Sequence, residues 1–149
     1  MYLFFDTETT GLPKNWKSPV TDLDNWPRMI QIAWILCDAA GNKIETEVYI
    51  IKPDGFTIPK EASDVHGIST DRANKEGVPL VEVLNKFNTA VSKSDYIIAH
   101  NISFDEKIIG AELLRNRVQS NFESIRKLCT MKSSTDYCQI KGMYGYKWP

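Results

Sequence analysis

The sequence is poor in several features that would place it in particular classes of protein. It has no apolar run of about 18 residues, so no membrane-spanning helix is predicted. No basic stretch precedes the apolar residues after Met1, so no secretory signal is predicted. Three cysteines without C-x-x-C spacing argue against a disulfide framework and a zinc site, and favour a cytoplasmic location: Cys37, Cys129 and Cys138.

The sequence also has little net charge, since 18 Lys and Arg stand against 19 Asp and Glu. A protein that binds long duplexes is usually more basic. The charge is uneven, however, because residues 124–149 carry five basic side chains and only one acidic one, Asp136. Two interpretations of this tail stay open, a solvated surface and a patch that faces a polyanion.

Hydrophobic patterning predicts a single α/β domain over residues 1–149. Apolar stretches separated by short turns predict three antiparallel strands, followed by two helices that alternate with two more strands. Such an order favours a mixed five-stranded sheet with helices on its faces. The predicted strands are 2–8, 29–37, 43–51, 96–99 and 124–130, and the main helices are 79–91 and one capped by Ser103 with Glu106.

Two acidic residues end the first predicted strand. Asp6 and Glu8 are two positions apart, so their side chains point to the same face of the sheet. Adjacent carboxylates repel each other unless a positive group lies between them, and hard divalent cations prefer oxygen ligands. We therefore interpret the pair as part of a metal site.

A third acidic residue, Asp105, falls in the first turn of the helix that follows the fourth predicted strand. If the first and fourth strands are neighbours, Asp105 would face Asp6 and Glu8 across the strand ends, where ligands bind in open α/β sheets. Three converging carboxylates could hold two divalent ions roughly 4 Å apart, as in phosphoryl-transfer enzymes.

Three separated segments resemble the DEDD superfamily of 3′→5′ exonucleases, of the type found in the epsilon proofreading subunit of bacterial DNA polymerase III. The segments are Asp6-Thr7-Glu8-Thr9-Thr10-Gly11-Leu12, Val65-His66-Gly67-Ile68-Ser69 and His100-Asn101-Ile102-Ser103-Phe104-Asp105. The resemblance implies a ribonuclease H-like fold and a metal-dependent 3′→5′ exonuclease, which agrees with the predicted order of elements.

The resemblance also implies roles for individual residues. Asp6, Glu8 and Asp105 would be the catalytic metal ligands for two Mg²⁺ or Mn²⁺ ions. The 3′ end of a single strand of DNA would bind between two walls, with Leu12 against the terminal base. The implied substrate-binding residues are Thr9, Thr10, Gly11, Leu12, His66, Gly67, Ile68, Asn101 and Phe104. His66 has an alternative role, in which it only fixes its own loop through a backbone hydrogen bond.

The sequence departs from this family in one respect. Active members carry a third motif, a His or Tyr followed by an Asp, but here no His follows His100 and Asp136 precedes Tyr137. We therefore expect a C-terminally incomplete domain that lacks the last helix of the fold. Such a chain would have feeble or no activity alone and would self-associate through the apolar sheet surface left bare.

Two alternative functions remain open at this point. One is an RNA-trimming exonuclease of the same superfamily, because no residue pattern distinguishes a 2′-hydroxyl. The other is a non-catalytic module that binds nucleic acid or docks onto a polymerase subunit.

Overall fold

The computed structural model describes residues 1–149, which form one five-stranded mixed sheet with helices packed on it. The strands of this sheet are β1 (Tyr2–Thr9), β2 (Met29–Cys37), β3 (Lys43–Ile50), β4 (Tyr96–Ala99) and β5 (Arg126–Cys129). The helices are α1 (Lys60–His66), α2 (Thr70–Glu76), α3 (Leu80–Ser92), α4 (Ile102–Asn116), α5 (Thr130–Ser133) and α6 (Thr135–Cys138). A short hairpin follows, formed by β6 (Lys141–Gly142) and β7 (Gly145–Tyr146).

The order of strands across the sheet is β3-β2-β1-β4-β5, with β1 in the centre. The first three strands are antiparallel hairpin neighbours, whereas β4 and β5 run parallel to β1. The sequence therefore predicted the α/β class and the mixed ribonuclease H-like sheet correctly, and β1 and β4 are neighbours, the condition for Asp105 to reach the end of β1. None of the helices is long and apolar enough to cross a membrane.

One face of the sheet is covered by α3 and α4. Alternate residues of β1 point into this core, where Phe5 lies 5.5 Å from Phe87 of α3 between ring centroids. Trp34 of β2 packs on the same Phe87 ring, and Ile108 and Ile109 of α4 are completely buried. Burial of such large side chains contributes roughly 1.5–3 kcal/mol each to folding.

The start of α4 differs from the sequence prediction. Helix α4 begins one residue before Ser103, because Asn101 takes the N-cap position with a left-handed φ of 56°. Ser103 lies inside the first turn, where its hydroxyl donates to Asn101 Oδ1, so the predicted capping box with Glu106 is wrong. Helix α2 is capped by Ser69, whose Oγ accepts from Arg72 N.

The long loop between β1 and β2 packs against the core. Trp26 is 3% exposed, and its indole N–H donates to the carbonyl of Pro19. Gly110 of α4 makes room for this loop, since a Cβ there would lie 2.8 Å from Cγ2 of Val20. Trp16, by contrast, stays half-exposed and packs on Phe104 next to the end of β1.

The other face of the sheet carries exposed apolar side chains. Phe4 is 41% exposed, and in the strand register it lies beside Ile35. Val48 of β3 is 59% exposed and lies beside Ala33. Contiguous exposed apolar surface of this kind marks interaction sites or association-prone regions.

The self-association expected from the sequence stays a prediction, and this exposed face is where it would occur. We expect the protein to sediment as more than a monomer at micromolar concentration. Val48→Lys, which puts a charge on the face, should shift the protein toward monomer in analytical ultracentrifugation. Val81→Lys, at a half-exposed valine of α3, is the control. A monomeric wild type, or an equal effect of both variants, would contradict the prediction.

Candidate active site

The two acidic residues of β1 lie on the exposed face at the end of the strand. Side chains alternate along β1, so Thr7 and Thr9 point into the protein, whereas Asp6 and Glu8 point outward. The pairing of β1 with β2 becomes irregular between Glu8 and Thr9, where the strand ends. The chain then turns away at Gly11, which has a φ of 146°. The structure thus places Asp6 and Glu8 side by side, as their spacing predicts.

Asp105 reaches β1 from the first turn of α4. Its Oδ1 accepts hydrogen bonds from the backbone N–H and the hydroxyl of Thr7, at 3.1 and 2.7 Å. Thr7 lies between Asp6 and Glu8 in sequence, so these bonds fasten Asp105 directly behind the acidic pair. Asp105 is only 3% exposed, and charged side chains are rarely so buried without an ionic partner.

Burial raises the pKa of two of these carboxyl groups. The pKa of Asp105 is raised to about 7, chiefly by burial; the hydrogen bond from the Thr7 side chain lowers it, and the charge of Asp6 raises it by less. Burial also raises the pKa of Asp6, against a lowering effect of the nearby His100. In the absence of a cation, therefore, both carboxyl groups retain protons more readily than ordinary aspartates.

His100 supports the turn that carries this cluster. Its Nδ1 lies 3.2 Å from the hydroxyl of Thr130, and its Nε2 lies 3.3 Å from the carbonyl oxygen of Pro149. It is the nearest basic group that lowers the pKa of Asp6. His100 thus links the strand ends to the last residues of the chain.

The oxygen donors of these side chains are of the type that binds a hard divalent cation. Their present spacing, however, does not form a complete metal site. Carboxylate oxygens are the ligands that Mg²⁺ and Mn²⁺ prefer, and a cation would offset the burial that raises the two pKa values. No three acidic, His or Cys side chains are, however, arranged as a ready metal-binding group. Asp6 and Glu8 are the accessible donors that would hold an ion, with Asp105 bonded to Thr7 behind them.

A cavity of about 540 Å³ opens beside the acidic pair. One wall is the end of β1 and the following loop, from Thr7 to Leu12, and the other comes from α1 and the residues before it. Phe104 completes the lining, and Leu12 offers an apolar surface that is 73% exposed. The volume lies in the range of pockets that bind small molecules, so a nucleotide could enter it.

His66 lines this cavity and has a buried polar atom without a partner. Its Nδ1 accepts from the backbone N–H of Ile68 at 3.1 Å, which fixes the tautomer with the proton on Nε2. That Nε2 is buried and makes no hydrogen bond. His66 thus fixes its own loop through a backbone hydrogen bond, and the same ring carries a donor that is left without a partner.

The structure does not bring every predicted substrate-binding residue to the cavity. Ile68 is 1% exposed and packs beneath the wall with Ile30 and Ile58, so no base could stack on it. Gly67 ends α1 in a left-handed conformation, and Asn101 begins α4; neither lines the cavity. Thr9, Thr10 and Gly11 do line it, together with Leu12, His66 and Phe104.

Sequence analysis missed a buried ionic network that holds the Thr9–Leu12 loop. Thr10 exchanges two hydrogen bonds with the backbone of Arg28, and the Arg28 side chain donates to Glu112 at 2.9 Å. Glu112 is completely buried and also accepts from the Met29 backbone N–H. Arg115 lies 3.0 Å from the same carboxylate and donates to two carbonyl groups of the long loop. The one sign of this network in the sequence is Glu112, an acidic residue at a position of α4 that faces the core.

The raised pKa of Asp105 predicts the pH dependence of stability in metal-free buffer. The folded pKa of about 7 exceeds the reference value of 3.8, so the native state binds more protons than the unfolded state between these values. Stability should therefore fall as the pH rises from about 4 to above 7. Asp105→Asn should remove this loss and raise the free energy of unfolding at about pH 8 by on the order of 2–4 kcal/mol.

Urea denaturation in EDTA at several pH values measures this effect. Asp71→Asn, which changes an exposed acid in the first turn of α2, is the matched control and should give little change. A wild type whose stability is flat across this pH range would show that Asp105 is not a buried proton-binding group.

Comparison with solved structures supports the fold assignment. Escherichia coli exonuclease I in complex with a dA16 oligonucleotide is 19% identical, with a TM-score of 0.76 over 99% of this chain. A product-bound structure of exonuclease I is 22% identical, with a TM-score of 0.74 over 99% of this chain. The zinc-bound form of the E. coli exonuclease I–ssDNA complex is also 22% identical and matches 94% of this chain at the same TM-score.

The chain corresponds to only about a third of the length of these structures, 34, 34 and 30% respectively. No curated protein matches it closely enough in sequence to count as a relative. A family model described as exonuclease (RNase_T) matches residues 3–145, which include Asp6, Glu8, His66 and Asp105. The match extends over nearly the whole chain, and the chain therefore belongs to this exonuclease family.

Proposed function

We propose that the chain is a metal-dependent exonuclease domain that removes nucleotides from the 3′ end of single-stranded DNA. The observation that carries this proposal is the nucleotide-sized cavity that Glu8 lines, at the strand end where Asp6 lies and where Asp105 bonds to Thr7. A pocket that holds one terminal nucleotide next to a cation-binding cluster suits hydrolysis of the last phosphodiester bond.

The acidic residues would bind the cation that the reaction requires. Asp6 and Glu8 would hold Mg²⁺ or Mn²⁺, and the carboxylate of Asp105 would add a third negative charge behind them. A bound ion of this kind stabilises the charge that develops on phosphate oxygens and promotes ionisation of the attacking water. The hydrogen bonds from Thr7 hold Asp105 at one position, so Asp6 and Glu8 would have to adjust around the cation.

The cavity would bind the terminal nucleotide without reading its base. Leu12 and Phe104 offer apolar surface, and every base has a flat face that can pack on such surface. The unpartnered Nε2–H of His66 would donate to an oxygen of the nucleotide. Removal of nucleotides irrespective of sequence is therefore expected.

DNA is proposed as the substrate because the similar structures of exonuclease I are complexes with DNA oligonucleotides, dT13 and dA16 among them. Another of these structures is a complex of exonuclease I with SSB-Ct. An association of this chain with a polymerase in proofreading, and its weak activity as a 149-residue chain, stay predictions from the sequence.

A degradation assay tests the proposed function. A 5′-labelled single strand should shorten stepwise from its 3′ end when Mg²⁺ or Mn²⁺ is present, and should remain intact in EDTA. Asp6→Asn should reduce the rate by more than about 100-fold, above the range for groups that only support a metal ligand. Asp71→Asn, at an exposed acid of α2, should leave the rate unchanged.

Two further observations distinguish the alternative functions. They are the rate on an RNA strand of the same sequence and whether the bound strand is shortened at all. Faster shortening of RNA would favour the RNA-trimming function. Binding of the strand without any metal-dependent shortening would favour the non-catalytic module, and cleavage that Asp6→Asn does not affect would contradict the assigned site.

Leu12→Ser tests the contact with the terminal base. Leu12 is 73% exposed, so its loss should not change the free energy of unfolding. If a base covers this side chain on binding, KM should rise about tenfold with little change in kcat, since burial of a leucine contributes roughly 1.5–3 kcal/mol. Steady-state kinetics measure the effect, with Val81→Ser as the control; an unchanged KM would exclude Leu12 from the pocket's function.

A further inference from the structure

The hairpin near the end of the chain has a well-defined geometry. Gly142 pairs with Gly145 and Lys141 pairs with Tyr146, which leaves a two-residue tip. A Cβ on Gly142 would lie 2.9 Å from the Gly145 carbonyl oxygen, and Gly145 has a φ of 119°, so both positions require glycine. A further hydrogen bond, from Lys147 N to Ile140 O, closes the hairpin at its base.

The hairpin and the residues beside it expose an unusual number of large apolar side chains. The tip residues Met143 and Tyr144 are 87 and 97% exposed, and Tyr146 and Trp148 are 51 and 62% exposed. None of them belongs to the main core or packs against it. Single exposed aromatic residues are ordinary, but a cluster of them marks an interaction surface.

The charge of this surface is positive. Lys141 and Lys147 lie on the hairpin and Lys132 precedes it, and none of these lysines takes part in an ion pair. Asp136 is the only acidic residue between 124 and 149. Lys141 and Tyr146 are directly opposite in the hairpin, so a cation and an aromatic ring share one of its faces.

The segment that contains the hairpin contacts His100, at the sheet edge where β4 ends, at both of its ends. The segment leaves the sheet at Thr130, whose hydroxyl contacts His100, and returns to the same ring through the Pro149 carbonyl. His100 lies between β4, the parallel neighbour of β1, and α4, which carries Asp105. A strand whose end lies in the cavity would thus pass near the hairpin.

We propose that the hairpin, residues 140–147 with Trp148, binds the single strand upstream of its 3′ end. Unpaired bases would stack on Tyr144, Tyr146 and Trp148, and the lysines would contact phosphates, the combination used by proteins that bind single strands without sequence preference. The proposal rests on the proposed function, since the bound strand is the one whose end enters the cavity.

Binding in EDTA tests the hairpin separately from hydrolysis. Fluorescence anisotropy of a labelled thymidine strand of about 12 nucleotides, long enough to span a typical single-strand site, measures the affinity. Tyr144→Leu should weaken binding at least fivefold, about the lower limit for loss of one stacked base. Tyr144→Phe keeps the ring and should bind as the wild type does.

The lysine contact has its own readout. Lys141→Gln should make the dependence of log affinity on log salt shallower by about 0.7, the value for loss of one phosphate contact on a single strand. Lys75→Gln, an exposed lysine at the end of α2, is the matched control and should leave the slope unchanged. The salt dependence of Lys141→Gln tests binding of the strand by the hairpin even if a substitution at Tyr144 alters the hairpin structure.

Equal affinities for Tyr144→Leu and Tyr144→Phe, together with an unchanged salt slope for Lys141→Gln, would overturn the proposal. Hairpin variants that change only the sedimentation of the protein would assign this surface to a protein partner instead, and would overturn it equally. A uridine strand in parallel distinguishes RNA from DNA as the bound strand. Hydrolysis of a dinucleotide, too short to reach the hairpin, reports on the cavity and cation site alone, so failure of the proposed function is recognised independently.

Discussion

The pair of hydrogen bonds between Thr7 and Asp105 is the contact on which the arrangement of the site depends. It joins the central strand β1 to the first turn of α4, and it places a third carboxylate behind Asp6 and Glu8. The cost is a buried acid whose pKa rises to about 7. A buried carboxyl group with a raised pKa is unfavourable in its charged form, and a bound cation would offset both the burial and the repulsion. We therefore interpret the buried acid as part of a cation site.

A second set of buried polar contacts supports the cavity wall. Glu112 receives hydrogen bonds from Arg28 and Met29, and Arg28 in turn bonds to Thr10 of the loop. Separation of a buried charge pair is strongly destabilising, because it leaves one charge buried without a partner. Loop conformations that would break these contacts are therefore disfavoured. The Thr9–Leu12 loop is thereby held at the edge of the cavity, while Leu12 itself remains free to contact a ligand.

The part of the site that the sequence predicted is the part set by local periodicity. Asp6 and Glu8 share a face because strand side chains alternate, and Asp105 lies at a strand end because a helix begins there. The features that sequence analysis missed depend on tertiary contacts. Ile68 is buried by packing of α1 and α2, Glu112 is paired with Arg28 from the loop before β2 and with Arg115, and Asn101 takes the cap of α4 in a left-handed conformation.

The central claim is that burial, with a smaller effect of the charge of Asp6, disfavours the charged form of Asp105 until a divalent cation binds. Observation of the Asp105 carboxyl carbon by NMR during a pH titration, with and without Mg²⁺, tests this claim most directly. The account predicts a pKa near 7 in EDTA and a large decrease when Mg²⁺ is added. An ordinary pKa near 4 in EDTA, or a raised pKa that Mg²⁺ and Mn²⁺ leave unchanged, would contradict it.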